Sequence, residues 1–203
     1  MITDERPFQL AVLGVAAVLL VVRTYYRLRA GGTAPGLTHS QEHAVLGNLL
    51  SKVVLPMASV LCLAWLSSPA RVAELVVPIP AVLRWCGLGV ACLGLAMLGW
   101  VHHTLDRSFS PVIEIHPGQQ LITHGPYRWI AHPMYTAFLV IDSGLSLLSA
   151  YPPLAVLLFG LLIPVIVRRT PKEEAMLLAH FGETYRVYRA GVGKLLPRFR
   201  ARA

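Results

Sequence analysis

The sequence predicts an all-α, polytopic membrane protein with about five transmembrane helices. Hydrophobic residues make up 55% of the 203 residues and charged residues only 14%, whereas about a quarter of the residues of a soluble domain are charged. The apolar residues also gather in runs that approach the roughly 20 residues needed to cross the hydrocarbon core as a helix. This combination is typical of membrane proteins.

The candidate spans follow from the lengths of the apolar runs. The first ends in a belt of Arg and Tyr side chains, which is typical of a membrane interface. The last is short and contains Pro164, which predicts a tilted or kinked helix. Only the turn SAYPP separates the last two runs, so we expect a helical hairpin there. The spans are predicted at about 8–27, 49–67, 80–100, 134–150 and 152–167.

The Lys and Arg residues predict the orientation of these spans. With the N-terminus outside, Arg6, Arg71 and Arg84 face outward, and the other basic residues lie on or near the cytoplasmic side. The opposite orientation would export the whole basic tail from Arg168 to Arg202. The positive-inside rule therefore predicts an integral membrane protein with its N-terminus outside and its C-terminus in the cytoplasm. The first apolar run has no clear cleavage site and is expected to remain as an anchor.

Several other classes of protein and site are disfavoured. The net charge of +8 could suggest nucleic-acid binding, but the positive residues lie beside apolar segments and form no single basic face. Membrane lipids are the expected surroundings, and no nucleic-acid partner is expected. Cys62, Cys86 and Cys92 lie inside apolar runs without Cys/His ligand spacing, so neither a disulfide framework nor a metal site is predicted.

Residues 1–203 are predicted to form a single integral-membrane domain, because no internal repeat or composition break divides them. Residues 1–104 contain the first three predicted spans. The small residues Gly87, Ala91 and Gly94 on the third span favour close helix packing. Residues 105–203 contain most of the polar sequence, including a periodic segment from Glu173 to Tyr188 that predicts a C-terminal cytoplasmic helix.

The densest polar motif is HGPYRWIAHPMY, from His124 to Tyr135. Taken alone, it has a structural interpretation, because Pro133 suits the first turn of a helix and the aromatic residues suit an interfacial belt. In the same way, TPKE reads as a capping box, with Thr170 as the N-cap and Glu173 at the third helical position. Only the order of such motifs along the chain favours a functional site.

That order is SFSP, LITHGPYRWIAHPMY, an apolar hairpin, RxxxEE and FGETYRVYRAGVGKLLP. From Ser108 to Pro197 it resembles the isoprenylcysteine carboxyl methyltransferase family, part of a wider group of integral-membrane methyltransferases that includes phospholipid N-methyltransferases. The resemblance implies methyl transfer from S-adenosyl-L-methionine, bound in a cytoplasm-facing pocket that the C-terminal segment closes. Residues 105–203 would then form the cofactor- and substrate-binding half.

The resemblance also implies roles for individual residues. Arg169 would face the substrate carboxylate, Glu173 would hold the methionine part of the cofactor, and Glu114 would be a further polar contact. Ala131 stands where the family usually has an arginine before the His-Pro pair, and Arg128 is a nearby substitute. The other cofactor-binding positions implied are Gln119, Gln120, Leu121, Ile122, Tyr127, His132, Pro133, Met134 and Tyr135.

The residue types agree with this chemistry. A glutamate suits the ammonium group of the cofactor, and aromatic faces suit its sulfonium and its adenine. A lipid carboxylate has a pKa of about 4, so it is ionised at neutral pH and its methylation requires no general base. The favoured function is O-methylation of the carboxylate of an isoprenylcysteine-like or other lipidic substrate, either a small molecule or a prenylated partner.

Other functions remain open on the sequence alone. N-methylation of an amine headgroup would need a base, and Asp142 in the fourth span is the obvious buried acid, with Lys52 or a substrate amine as its partner. A hydrogen-bonded structural role for Asp142 is equally open. A nicotinamide-dependent reductase resembling the membrane sterol reductases is disfavoured by RxxxEE. Ala131 is the one hint of an inactive membrane scaffold. The natural substrate and the oligomeric state are not predicted.

Overall fold

The structure is a computed structural model that describes residues 4–29, 60, 63–67, 73–105 and 120–198. Within these ranges all regular secondary structure is helical, apart from one isolated β-bridge between Ile130 and Gly193. The all-α prediction is therefore confirmed for the described residues. The helices are α1 (Arg6–Arg29), α2 (Ala81–Leu105), α3 (Pro133–Ser149), α4 (Pro152–Phe181) and α5 (Glu183–Gly191), with short 3₁₀ helices at Ala73–Leu75 and Gly125–Arg128.

Three of these helices, α1, α2 and α4, are long and apolar enough to cross a membrane. The shorter apolar helix α3 has 17 residues. These four helices coincide with the first, third, fourth and fifth predicted spans, and α3 and α4 form the predicted hairpin. Most of the second predicted span, 49–67, lies outside the described residues, although residues 60 and 63–67 are helical.

Small residues allow α2 and α3 to lie in close contact. A Cβ atom added to Gly87 would lie 2.6 Å from the backbone nitrogen of Leu148, and one on Gly94 would lie 2.8 Å from a backbone nitrogen of α3. A Cβ atom on Gly144 would likewise collide with the Ala91 backbone. Because such separations are too short for carbon contacts, the glycines determine how closely the helices approach. The predicted packing role of Gly87, Ala91 and Gly94 is confirmed.

A cluster at one end of the bundle fixes the start of α1 against α2 and α3. Arg84 was predicted on the outer side, and its side chain is only 3% exposed. It donates to both carboxylate oxygens of Glu5 at 2.8 and 2.7 Å, and to the carbonyl oxygens of Leu148 and Ser149 at 3.0 Å each. Its guanidinium also lies 3.6 Å from the ring centre of Phe8. The buried charge is therefore neutralised, and it caps carbonyl groups at the end of α3.

The predicted capping box at Thr170 is wrong, because α4 continues through it. The fifth span was predicted to end at residue 167, but the helix reaches Phe181. Thr170 is 1% exposed, and its hydroxyl donates to the Ile166 carbonyl of the preceding turn at 2.6 Å. Pro171 is likewise inside the helix. The local sequence resembles a helix start, but packing of Thr170 keeps the helix continuous.

The length of α4 places the RxxxEE motif on the same helix as the fifth span. Its 30 residues extend for about 45 Å, which exceeds the roughly 30 Å hydrocarbon core. The helix ends before Gly182, where φ is +54°, a backbone conformation that glycine adopts readily. The predicted C-terminal helix is therefore divided between the end of α4 and the separate helix α5.

Candidate functional site

The HGPYRWIAHPMY segment connects the end of α2 to the start of α3. Gly125 has a φ of +59°, and a Cβ atom added there would lie 2.7 Å from the Thr104 hydroxyl oxygen of α2. Only glycine satisfies both the backbone conformation and this close approach. The 3₁₀ helix Gly125–Arg128 follows, and Pro133 then occupies the first turn of α3 as predicted. The turn is thereby held against α2.

Backbone hydrogen bonds join this segment to the C-terminal tail. The peptide N–H groups of Ala131 and His132 donate to the carbonyl oxygens of Gly193 and Lys194 at 2.8 and 3.1 Å. In return, the N–H group of Gly193 donates to the Trp129 carbonyl at 3.1 Å. Because these bonds use the main chain, they hold the tail next to the His-Pro pair whatever side chains the tail carries.

Two hydroxyl groups reinforce the same junction. The Tyr188 hydroxyl of α5 donates to the carbonyl of Tyr127 at 2.8 Å, and the Thr136 hydroxyl donates to the carbonyl of Leu195 at 2.5 Å. Burial raises the pKa of both Tyr127 and Tyr188 well above the usual range of a phenol. Both tyrosines are therefore neutral at physiological pH, and Tyr188 remains a hydrogen-bond donor.

The centre of the site is a pair of neighbouring carboxylates on α4, Glu173 and Glu174, with His132 between them. The Nδ1 atom of His132 lies 3.5 Å from Glu173 Oε2, and its Nε2 atom lies 3.2 Å from Glu174 Oε1. Tyr135, whose ring centre is 5.9 Å from that of His132, donates its hydroxyl to Glu173 Oε1 at 2.8 Å. Two residues of the His-Pro motif thus contact two residues of RxxxEE.

Each of the two glutamates also has its own arginine. Arg169, one turn before Glu173 on α4, has its Nη2 atom 3.3 Å from Glu173 Oε1. Arg189 of α5 donates from Nε to Glu174 Oε1 at 2.9 Å and from Nη1 to the Val192 carbonyl at 3.2 Å. Glu174 is therefore fixed to α5 and the tail, whereas Glu173 contacts only α3 and its own helix through these bonds.

An open cleft adjoins Glu174, between the end of α4 and α5. It has a volume of about 240 Å³ and is lined by Glu174, Ala175, Leu178, Tyr185, Arg186 and Arg189. The Tyr185 hydroxyl is buried and has no hydrogen-bond partner within the described part of the chain. Burial raises the pKa of Tyr185 to about 12, with a further contribution from the nearby Glu174 charge. The cleft therefore contains a neutral phenol that can donate to a ligand.

The structure brings together Arg169, Glu173, His132 and Tyr135 from the predicted site. The Tyr127 side chain is close enough for the charge of Glu173 to contribute to its raised pKa, after burial and Tyr188. Met134 packs instead against the apolar cluster shared by α1, α2 and α3. The residues before the 3₁₀ helix include Gln120, which is exposed, and Leu121 and Ile122, which are half-buried. Glu114, Gln119 and Lys52 lie outside the described residues.

Sequence reasoning missed Glu174 and Arg189. The RxxxEE motif shows two adjacent glutamates. Adjacent side chains on a helix point about 100° apart, so both glutamates could have been expected to contact one residue from two sides. Arg189 gave no local signal, because its contact with Glu174 depends on how α5 folds back. Arg128, the expected substitute for the absent arginine at Ala131, is exposed beside the Trp129 ring. The guanidinium next to His132 and Glu174 comes from Arg189.

Residues 87–179 match the family model of the Isoprenylcysteine carboxyl methyltransferase (ICMT) family. This confirms the resemblance predicted from the motifs. A probable protein-S-isoprenylcysteine O-methyltransferase of Oryza sativa subsp. indica is 35% identical over 115 residues, which cover 56% of this chain and 60% of that protein. The protein-S-isoprenylcysteine O-methyltransferase of Schizosaccharomyces pombe is 29% identical over 120 residues, covering 58% of this chain and 50% of that protein. The chain thus matches half to three fifths of the length of these relatives.

The fold is also similar to that of a solved structure, described as the eukaryotic intramembrane Ras methyltransferase ICMT without a monobody. The TM-score is 0.63 at 21% sequence identity, and the alignment covers 97% of this chain and 69% of that chain. At this identity the comparison concerns the fold alone. Together with the apolar helices, it shows that the chain is an integral membrane protein with an ICMT-like fold.

Proposed function

We propose that this protein is an S-adenosyl-L-methionine-dependent membrane methyltransferase that O-methylates the carboxylate of an isoprenylcysteine-like or other lipidic substrate. The observation that carries the proposal is Glu173, which contacts Tyr135, Arg169 and His132 at one end of an apolar bundle. This arrangement offers a carboxylate for a cationic donor beside an arginine suited to an anionic acceptor. The names of the relatives support the reaction class.

The residues present fit S-adenosyl-L-methionine, which supplies an electrophilic methyl group on a sulfonium. Glu173 is 21% exposed, so an ammonium group can reach it. Tyr127, His132 and Tyr135 would form one wall of the pocket, and the buried Pro133 and the packed Met134 would support that wall from behind. Gln119, Gln120, Leu121 and Ile122 would line the adenosine side, and Glu114 would be a further polar contact of the cofactor. Glu174, already bonded to His132 and Arg189, would keep this wall in place.

The contact between Arg169 and Glu173 suggests how donor and substrate binding are coupled. Glu173 would exchange the Arg169 guanidinium for the ammonium of the donor. Arg169, whose side chain is 34% exposed, would then turn to the substrate carboxylate. The protein need only align this carboxylate and exclude water, and orientation can supply about 7–11 kcal/mol of a barrier. Arg169 must not hold the carboxylate too tightly, since its charge disappears as the ester forms.

We further propose five spans, an outside N-terminus and a cytoplasmic C-terminus, with α5 and the tail closing the pocket of a single domain. Residues 105–203 would form the cofactor- and substrate-binding half. The neutralisation of Arg84 by Glu5 supports this orientation, since it leaves less positive charge on the outer side. The bonds from residues 131 and 132 to residues 193 and 194 support closure by the tail. The lipidic substrate would arrive sideways from the bilayer.

The test supplies methyl-labelled donor and a membrane lipid extract to the purified protein, and then treats the product with base. Label released as methanol identifies an ester and supports the proposal. Label retained after base treatment would contradict it and favour N-methylation, the alternative for which the buried Asp142 is a candidate base. If S-adenosylhomocysteine far above its expected affinity does not raise the thermal midpoint, the inactive-scaffold interpretation is favoured instead.

A further inference from the structure

A patch of exposed basic and apolar side chains surrounds the point where the tail joins the segment before α3. Trp129 and Leu196 are 46% and 74% exposed, and the basic residues close to them in the sequence are exposed as well. The N–H group of Gly193 donates to the Trp129 carbonyl, which keeps the two parts of the patch together. None of these side chains has a role in the proposed reaction. The tail patch consists of Arg128, Trp129, Lys194, Leu196 and Arg198.

The turn that carries Leu196 has a defined conformation. A Cβ atom added to Gly193 would collide with the Leu196 carbonyl oxygen, so the tail turns back on itself here. Beyond the turn, Arg198 donates from Nη1 to the Ala190 carbonyl near the end of α5 at 3.2 Å. An ordered turn that exposes a leucine between Lys194 and Arg198 has the composition of a membrane-surface anchor, in which apolar side chains enter the interface and basic side chains attract anionic lipids.

The contacts of the tail place it at the edge of the hydrocarbon core. The stretch of α4 from Pro152 to Glu173 extends for roughly 30 Å, which matches the thickness of that core. Glu173 contacts Tyr135 in the first turn of α3, so this turn lies at the same boundary. The Thr136 hydroxyl in that turn donates to the Leu195 carbonyl. The residue beside Leu196 therefore lies at the level where lipid headgroups begin.

A pair of tryptophans marks the same level independently. The exposed rings of Trp100, near the end of α2, and Trp129 pack edge to face with their centres 5.9 Å apart. Tryptophans gather at the boundary between membrane and water, because the indole ring is apolar and its N–H group is polar. The Arg128 guanidinium lies 5.8 Å from the Trp129 ring centre, so a positive charge of the tail patch also lies at headgroup level.

The charges at this end of the bundle leave the tail patch positive. Within the described residues, the three acids of this end are each paired with an arginine outside the patch. The pairs are Glu173 with Arg169, Glu174 with Arg189 and Glu183 with Arg186. The three positive charges of the tail patch are therefore in excess, and their complement is an anionic surface. Acidic phospholipids supply such a surface on the cytoplasmic leaflet.

We propose that acidic phospholipid headgroups of the cytoplasmic leaflet bind the tail patch and hold the tail closed over the donor pocket, so that affinity for the methyl donor increases with the anionic-lipid content of the membrane. This rests on the proposed function and adds a lipid dependence to it. The coupling runs through His132, whose N–H group donates to the Lys194 carbonyl at 3.1 Å and whose side chain contacts both Glu173 and Glu174. Lipids that favour the closed tail raise donor affinity, because both ligands stabilise the same state.

The test measures the binding of S-adenosylhomocysteine to the full chain in nanodiscs of phosphatidylcholine alone or mixed with phosphatidylserine. This ligand has no net charge at neutral pH, so an anionic surface does not concentrate it. Binding should be about 3- to 10-fold tighter in the anionic discs, since each basic side chain gains about five-fold at an anionic surface and closure transmits part of that gain. The gain should disappear at about 1 M salt, where charges are screened within about 3 Å.

Two double variants separate charge from structure. Arg128→Gln with Lys194→Gln should abolish the lipid response and leave affinity in neutral discs within about twofold of wild type, since neither side chain contacts the donor site. Arg128→Lys with Lys194→Arg retains both charges and should retain the response. Arg6→Gln, at the exposed start of α1 and the other end of the bundle, is the control and should also respond as wild type does.

Hydrogen exchange of peptides covering residues 191–198, measured without ligand, should be slower in anionic discs than in neutral ones. Equal affinity for S-adenosylhomocysteine in the two kinds of disc would overturn the inference and leave the proposed function standing. A response that persists in Arg128→Gln with Lys194→Gln would also overturn it, as would an equal gain when soluble glycerophosphoserine is added to neutral discs, because the ligand would then be a free anion. Absence of S-adenosylhomocysteine binding in both kinds of disc would refute the proposed function together with the coupling, even if exchange still slows.

Discussion

The two ends of α3 each hold an arginine against a glutamate, but the two pairs differ in how deeply they are buried. At one end, the Arg84 side chain is 3% exposed and donates to both oxygens of Glu5 and to two backbone carbonyls. At the other end, the Arg169 side chain is 34% exposed and approaches Glu173 at 3.3 Å. The first pair is a closed structural unit, whereas the second is accessible to ligands.

The difference follows from where the partners lie in the sequence. Arg84 and Glu5 are separated by 79 residues, so their pair joins two helices and the end of a third. Arg169 and Glu173 are one turn apart on the same helix, so breaking their contact separates no structural elements. Half-exposed pairs of this second kind contribute only about 0–1 kcal/mol. An exchange of partners on ligand binding is therefore energetically inexpensive only at the Arg169 end.

Arg84→Ala should produce the largest effect on stability. Removing this guanidinium leaves the Glu5 carboxylate and two carbonyls without a partner, and breaking a buried pair in this way costs about 3–5 kcal/mol. We expect a large decrease in the thermal midpoint in detergent, with donor affinity preserved in the fraction that remains folded. The double replacement Arg84→Met with Glu5→Gln should recover much of the loss, because no charge is then left buried. An unchanged midpoint in Arg84→Ala would contradict this comparison.

Arg169→Ala should have the opposite profile, with a large effect on activity and little on stability. The substrate carboxylate would lose a charged hydrogen bond worth about 1.5–3 kcal/mol, so kcat/KM for the lipidic acid should decrease about 10- to 150-fold. Donor affinity, measured by calorimetry, should remain within about twofold because Glu173 is retained. Arg168→Ala, at the exposed preceding position, is the control. Loss of donor binding in Arg169→Ala would mean that the two roles have been assigned wrongly.

The sequence predicts the Arg169 end of the molecule better than the Arg84 end. Apolar runs located α1, α2, α3 and the start of α4 closely, because the thickness of the membrane sets the length of an apolar span. The hairpin formed by α3 and α4 then brings His132 and Tyr135 back to RxxxEE with few alternatives. By contrast, the Arg84–Glu5 pair depends on packing between distant segments, for which a single sequence gives no signal.

The continuation of α4 past Thr170 could not be predicted for a related reason. Locally, TPKE satisfies every requirement of a helix start, and the hydroxyl of Thr170 could cap the turn that follows. In the structure the same hydroxyl donates backward to Ile166, and the side chain is buried. Tertiary packing thus decides between two locally acceptable conformations. The choice matters for function because it places Arg169 and Glu173 on one uninterrupted helix.

Glu173→Gln and Glu174→Gln should distinguish a ligand-binding carboxylate from a structural one within the same motif. Glu173→Gln removes the charge expected to bind the donor ammonium and should weaken donor binding about 10- to 100-fold. Glu174→Gln removes the partner of Arg189 and should chiefly lower the thermal midpoint, with donor affinity changed only a few-fold. Donor calorimetry on both variants tests the division. A greater loss of donor affinity in Glu174→Gln would reverse the two roles.

Tyr188→Phe should have the smallest effect, and it tests whether α5 closes the site. The variant removes the hydrogen bond to the Tyr127 carbonyl, which contributes about 1 kcal/mol, while leaving the ring in place. Hydrogen exchange of peptides covering residues 191–198 should accelerate about five-fold, because the tail opens more often. Tyr185→Phe is the matched control on the same helix, since the Tyr185 hydroxyl has no partner among the described residues and its loss should not accelerate exchange.

Donor bound to the wild-type protein should slow exchange in these peptides if α5 and the tail close the pocket. Exchange that is indifferent both to Tyr188→Phe and to the donor would mean that the tail is held by its backbone bonds alone and does not close over a ligand.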